Sequence, residues 1–153
     1  MTMAAARLNE KRWGISVHRR PFQLHAHALA VVHATADDFA AQVRELCARE
    51  VTGNQWDRFL TAYSGADPAV VATGRGATLA ANKRDRLAAL YRSDSRVAPW
   101  AGTAWGVVQA VNTFVQHDQT VRGSSRADRN ALRAVTGGVD SLDRSTLETL
   151  ARV

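Results

Sequence analysis

The sequence is poor in most residues that carry dedicated chemistry. Its 153 residues include one cysteine, Cys47, so no internal disulfide can form. Cys47 falls in a helical apolar pattern with no second thiol nearby, the setting of a buried structural cysteine rather than a reactive one. No HExxH and no Cys/His pairing is present. His25 and His27 stand two apart, which on a helix points them to opposite faces, so no metal site is expected. No window approaches the ~20 apolar residues of a membrane span. The first residues, MTMAAARLNEKRWG, lack the apolar stretch of a signal peptide. With a single thiol, these absences predict a cytoplasmic protein. Gly74-Arg75-Gly76 precedes a helical segment, but the strand that a phosphate-binding loop would require is missing. Asp37-Asp38 reads as a helix start rather than an acid/base pair, and no Ser/His/Asp set can be assembled from spacing. The expectation is a protein without enzymatic activity and without a cofactor.

Positive charge, by contrast, is plentiful. The formal net charge is +6 and the sequence pI about 10.6. The excess is localised. Residues 1–20 carry Arg7, Lys11, Arg12, Arg19 and Arg20 against Glu10, a net of +4. Residues 66–100 carry Arg75, Lys83, Arg84, Arg86, Arg92 and Arg96 against Asp67, Asp85 and Asp94, a net of +3. Arginine dominates this set alongside heavy use of Ala and Val, so clustering rather than arginine content is the informative signal. Basic clusters attract polyanions through counterion release.

The apolar share of 46% and charged share of 22% are those of a soluble globular chain. The length suits one domain. Residues 1–23 read as an irregular basic arm. Within it Ile15 to His18 alternates like a short strand, and Pro21 ends that pattern. Residues 24–153 read as a single helical domain. Ala28, Val31, Val32, Thr35, Phe39, Val43 and Leu46 recur at helical spacing over residues 24–50. Thr52 is placed to cap a short helix, about 53–63, with Trp56, Phe59, Leu60 and Tyr63. A glycine-rich loop, 64–76, precedes a basic helix over about 77–92. There Leu79, Leu87, Leu90 and Tyr91 are assigned inward and Lys83, Arg84 and Arg86 outward. Further helices are expected over about 103–120, 126–135 and 140–150, with Gly137-Gly138 as a stop. The fold class is therefore all-α, a compact bundle of about five or six helices.

The stretch TAWGVVQAVNTFVQHDQ, Thr103 to Gln119, has a wide apolar face of Ala104, Val107, Val108, Val111, Phe114 and Val115. This breadth marks a central core helix, with Asn112 hydrogen-bonded to a neighbour. The competing assignment is a pocket lined by Trp105, Asn112 and His117.

AANKRDRLAALYRSD (80–94) followed by GTAWGVVQAVNTFVQHD (102–118) resembles the family known as domain of unknown function 932. Gly102, Thr103, Ala104, Trp105 and Gly106 match its GTAWG motif, Ala110 and Val111 its Ala-Val pair, and His117 its histidine; Asn112 stands within the same segment. Gln109 departs from the usual Asn, and Phe114 with Gln116 from an aromatic and Asp. The resemblance spans about Leu24 to Leu150. It implies a setting in phages, prophages and plasmids, hence a host bacterial cell, and longer relatives whose N-terminal half the arm 1–23 replaces. It implies no particular activity.

Two functions follow. The first is a nucleic-acid-binding accessory protein of a mobile element. Arg12, Arg19, Arg20, Lys83, Arg84 and Arg86 would meet phosphates, and Trp13 would stack on bases. The second is a protein-interaction module acting on a host or phage protein, alone or as a homo-oligomer, anchored by exposed Trp13, Trp56 and Trp100. No membrane partner is expected.

Overall fold

A computed structural model describes residues 21–71, 73–120, 123 and 125–153. The arm residues Arg12, Trp13, Arg19 and Arg20, and the strand proposed at 15–18, lie outside this set. Six α-helices are present among the described residues: α1 (Pro21–Ala48), α2 (Gly53–Ser64), α3 (Arg75–Ser93), α4 (Ala104–Thr113), α5 (Arg126–Val135) and α6 (Gly138–Ala151). A 3-10 turn, Ala98–Trp100, precedes α4, and a π-helical turn, Phe114–Asp118, follows it. No named strand occurs among them; Glu50 and Thr103 form an isolated antiparallel bridge. The fold is all-α.

The chain divides into two compact units, residues 1–43 and 44–153. The described part of the first is helix. It runs through Thr35–Asp38 without a break, since Asp and Thr are merely modest helix formers there. Val32 and Phe39 are more than half exposed, so the apolar periodicity of this segment does not translate into burial within the unit.

The second unit is organised around α4. Val107, Ala110, Val111, Phe114 and Val115 are buried, together with Phe59 and Leu60 of α2, Leu87, Leu90 and Tyr91 of α3, and Leu150 of α6. Each fully buried side chain of this size contributes roughly 1.5–3 kcal/mol. Valine is a mediocre helix former, so the covering by α3 and α6 is what holds α4 helical. Trp56 is partly buried and packs against this core rather than standing out on the surface. It stacks on Tyr91 with ring centroids 3.9 Å apart and on Phe59 at 5.6 Å. Leu79 departs from the wheel in the other direction, being mostly exposed on the first half of α3. Cys47 is half-buried.

Local chemistry sets the helix ends. Thr52 and Gln55 form a capping box at α2: the Gln55 amide donates to Thr52 Oγ1 at 3.2 Å, and the Thr52 amide donates to Gln55 Oε1 at 3.1 Å. Thr103 caps α4 and Ser125 caps α5.

Candidate nucleic-acid interface

The basic helix α3 carries three of the residues assigned to phosphate contact, and each has a partner within the protein. Lys83 Nζ donates to the Tyr63 carbonyl at 2.7 Å and sits 3.9 Å from the centre of the Tyr63 ring. Burial pushes its ammonium pKa down. Burial likewise raises the Tyr63 phenol, opposed by the charge of Arg133. Arg84 donates to Thr61 Oγ1 at 2.9 Å and to the Asp57 carbonyl at 3.3 Å, with the Asp57 carboxylate 3.8 Å away. Lys83 and Arg84 therefore clamp α3 onto α2. Their long apolar stems lie along the helix interface, so both are half-buried where the wheel predicted solvent. Arg86 is different. It pairs with Asp118 at 3.0 Å, yet about half of its side chain remains exposed.

Arg96 lies on the same side as Arg86. Its Nε and Nη2 form a fork on the two oxygens of Asp94, at 2.9 and 2.8 Å. The side-chain hydrogen bonds from Arg96 hold the Asp94 carboxyl well below the usual carboxylate range, with the more distant Arg86 adding to the effect. Asp118 acts on Arg96 in turn, so Arg86, Asp94, Arg96 and Asp118 form one charge cluster.

The GTAWG segment is built for close approach. Gly102 has φ +85°, in the left-handed region that favours glycine. Its amide donates to the Tyr91 hydroxyl at 2.6 Å. Thr103 Oγ1 accepts from the Gly106 amide at 3.1 Å and donates to the Trp100 carbonyl at 2.7 Å. A Cβ at Gly106 would lie 2.1 Å from the Trp100 carbonyl oxygen, so glycine is required there for α4 to press against the preceding turn. On the other flank, the Val51 amide donates to the Gly102 carbonyl and the Ala104 amide to the Arg49 carbonyl, at 2.8 and 2.9 Å. The motif residues Gly102, Thr103 and Gly106 thus perform a joining role at one end of the bundle, and Trp105 is half-buried beside them.

The other end of α4 loosens into the π turn, closed by the Gln119 amide donating to the Phe114 carbonyl at 2.8 Å. The last carbonyls of a helix need outside donors. Here α5 supplies them: Arg129 donates to the Val115 carbonyl, and Asn130 Nδ2 to the Gln116 carbonyl at 3.1 Å. A cation at this position also complements the helix dipole. In consequence α5 turns Arg129, Asn130 and Arg133 inward, and Leu132 and Val135 outward with 61% and 82% exposure.

Asn112 Nδ2 donates to Asp143 Oδ1 of α6 at 2.7 Å. Burial is the main cause raising the Asp143 pKa; Asn112 and Arg133 oppose the rise and Asp140 adds to it. Asn112, Gln116, Asn130, Arg133, Val139 and Leu142 line a cavity of about 20 Å³, the room of a single water molecule. Of the three residues assigned to a pocket, Asn112 alone lines this cavity. His117 is exposed on the π turn, and Trp105 sits at the other end of α4. Among the described residues no group of three or more His, Cys, Asp or Glu is placed to hold a metal ion, and no helix is long and apolar enough to cross a membrane.

The chain belongs to the family described as Domain of unknown function (DUF932). The family model matches residues 2–136. That match takes in the basic arm, which the motif resemblance had set outside the family segment, and it ends before α6 begins. No curated protein and no solved structure matches the chain. Sequence reasoning counted Arg92 and Arg96 in the basic cluster of residues 66–100 but missed the fork of Arg96 on Asp94. It also missed Asp118 and Asp143, whose partners lie 32 and 31 residues away.

Proposed function

We propose that the chain is a non-enzymatic accessory protein of a phage or other mobile element that binds nucleic acid through its basic surface. The observation that carries this reading is the surplus of exposed guanidinium groups. Arg49, Arg58, Arg75, Arg92 and Arg126 are exposed and have no ion-pair partner among the described residues. Arg86 stays half-exposed beside Asp118. To these the arm adds Arg12, Arg19 and Arg20, with Trp13 as an aromatic neighbour. Lys83 and Arg84 contribute to the field but are held inside, so of the residues assigned from the sequence, direct phosphate contact falls to the arm and to Arg86. The test is binding to labelled single- and double-stranded DNA and RNA across a salt series. Affinity falling steeply with salt is expected, with each lost phosphate contact flattening the logarithmic slope by about 0.7–0.9. The triple variant Arg12→Ala, Arg19→Ala, Arg20→Ala should flatten it, and Lys83→Ala should not. Absence of binding at about 50 mM salt would overturn the proposal.

The outward apolar face of α5 favours a second reading, a module that docks a host or phage protein or a second copy of itself. Replacing Leu132 and Val135 with glutamate would then abolish the complex, read as a change of mass in light scattering.

A further inference from the structure

We propose that Trp100 is a stacking platform for one unpaired base, and that the α3–α4 loop is a single-strand nucleic-acid site in which Arg92 and Arg96 meet the flanking phosphates. This rests on the nucleic-acid reading above and names the site and strand type within it.

The first observation is an indole held out on a fixed backbone. Trp100 is 41% exposed, whereas Trp56 is partly buried against the core. Its backbone is anchored from three sides. The Trp100 amide donates to the Val97 carbonyl at 2.9 Å, and its carbonyl accepts from the Thr103 amide at 3.2 Å and from Thr103 Oγ1 at 2.7 Å. Val97 is fully buried, and Gly106 admits α4 directly against the Trp100 carbonyl. The two-fifths of this residue that stays in water at so constrained a position gains nothing for folding. A base stacked on it buries ring surface with little further loss of backbone entropy.

The second observation is the charge that precedes it along the chain. Arg92 lies in the last turn of α3, and Arg96 follows four residues later on the loop that ends at Trp100. Asp94 and Asp118 each already hold a guanidinium, Arg96 and Arg86 respectively. The fork on Asp94 uses Nε and Nη2 of Arg96, which leaves Nη1 facing away from the carboxylate. A guanidinium pre-oriented like that of Arg96 suits phosphate oxygens. A basic track with an aromatic platform is the arrangement that binds single strands independently of sequence. Bases inside a duplex are already stacked on each other and offer this indole no face.

The experiment uses the full chain and fluorescence anisotropy. The probes are labelled oligo(dT), oligo(U), an abasic strand of equal length, and a duplex. Stacking on one aromatic is worth about 1–3 kcal/mol, so Trp100→Ala should weaken binding to oligo(dT) and oligo(U) by roughly 5- to 150-fold. Trp100→Phe should recover part of that loss. Binding to the abasic strand and the duplex should be unchanged, and the salt slope with it. Wild-type protein should itself prefer oligo(dT) to the abasic strand, a comparison that needs no variant to fold. Arg92→Ala with Arg96→Ala should instead flatten the salt slope on every strand. Undiminished oligo(dT) binding by Trp100→Ala, or an equal loss on oligo(dT) and the abasic strand, would overturn the platform while leaving the broader reading intact. A change of oligomeric mass without a change in strand binding would assign Trp100 to a protein interface and overturn it too. Failure of the wild type to bind any strand at low salt would overturn both proposals.

Discussion

Gly106→Ala sets two effects of opposite sign against each other. By helix propensity alone, alanine in place of glycine inside α4 should stabilise by about 1 kcal/mol. The structure places the added methyl 2.1 Å from the Trp100 carbonyl oxygen, 2.7 Å from its carbonyl carbon and 3.3 Å from the Ala101 nitrogen. Ordinary contact begins near 3.4 Å, so α4 and the turn before it must separate by more than 1 Å. Neither side can yield by rotating a side chain, because the clashing atoms are backbone. Overpacking of this kind costs about 1–3 kcal/mol. The separation also strains the Thr103 cap, whose bonds to Trp100 and Gly106 measure 2.7 and 3.1 Å and whose loss costs about 1 kcal/mol. The net expectation is destabilisation by about 1–3 kcal/mol. In urea this lowers the unfolding midpoint by about 1 M for a slope near 1–3 kcal/mol/M, with the slope itself unchanged. Gly76→Ala is the internal control. Gly76 lies in the first turn of α3 with no atom near its would-be Cβ, so that variant should gain a few tenths to 1 kcal/mol. A Gly106→Ala midpoint equal to or above wild type would refute the close-approach argument.

Three further outcomes are expected. Lys83→Ala with Arg84→Ala should lower stability by about 1–3 kcal/mol, seen in urea unfolding, because hydrogen bonds from charged groups between α2 and α3 are lost. Trp56→Ala should cost about 3–5 kcal/mol, measured the same way, since it empties a stacked position against Phe59 and Tyr91. Asp143→Asn should raise stability at pH 7, with the gain disappearing as pH falls below about 3.8. The folded Asp143 pKa lies above that ordinary value, so the native state favours its protonated form, and its stability contribution is lost as pH rises through the folded pKa. The asparagine keeps an acceptor for Asn112. Urea midpoints of both proteins at pH 3 and pH 7 check this, and a gain at pH 3 as large as at pH 7 would contradict it.

Much of the helix inventory was legible in the sequence. Thr52, Thr103 and Ser125 cap where their side chains can accept from the third amide onward, and α5 occupies the predicted 126–135. What the pattern did not contain was which face of a helix is covered. A wheel of α5 puts its apolar residues toward a core. The unsatisfied carbonyls at the end of α4 claim its arginine and asparagine instead. Lys83 and Arg84 erred in the same way, because Tyr63, Asp57 and Thr61 sit 20 or more residues away in sequence. The expected helix over 103–120 proved shorter, since a change from α to π hydrogen bonding depends on neighbours and leaves no compositional mark. Trp100 was visible as an exposed aromatic, but its fixation depends on Gly106, six residues later.

The π turn has a bearing on which lengths this chain tolerates. A π turn is an α-helical turn that has accommodated one surplus residue. Deleting a single residue from 114–118 would let the local backbone relax into the more comfortable helical winding. The same deletion would move the residues of the turn itself out of their present positions. Asp118 would leave Arg86, and the carbonyls of Val115 and Gln116 would leave Arg129 and Asn130. The turn therefore works as a phase-setter. It accepts a poorer local winding so that the two ends of the signature helix address different neighbours, and descendants of this sequence should conserve the length of that segment more strictly than its letters.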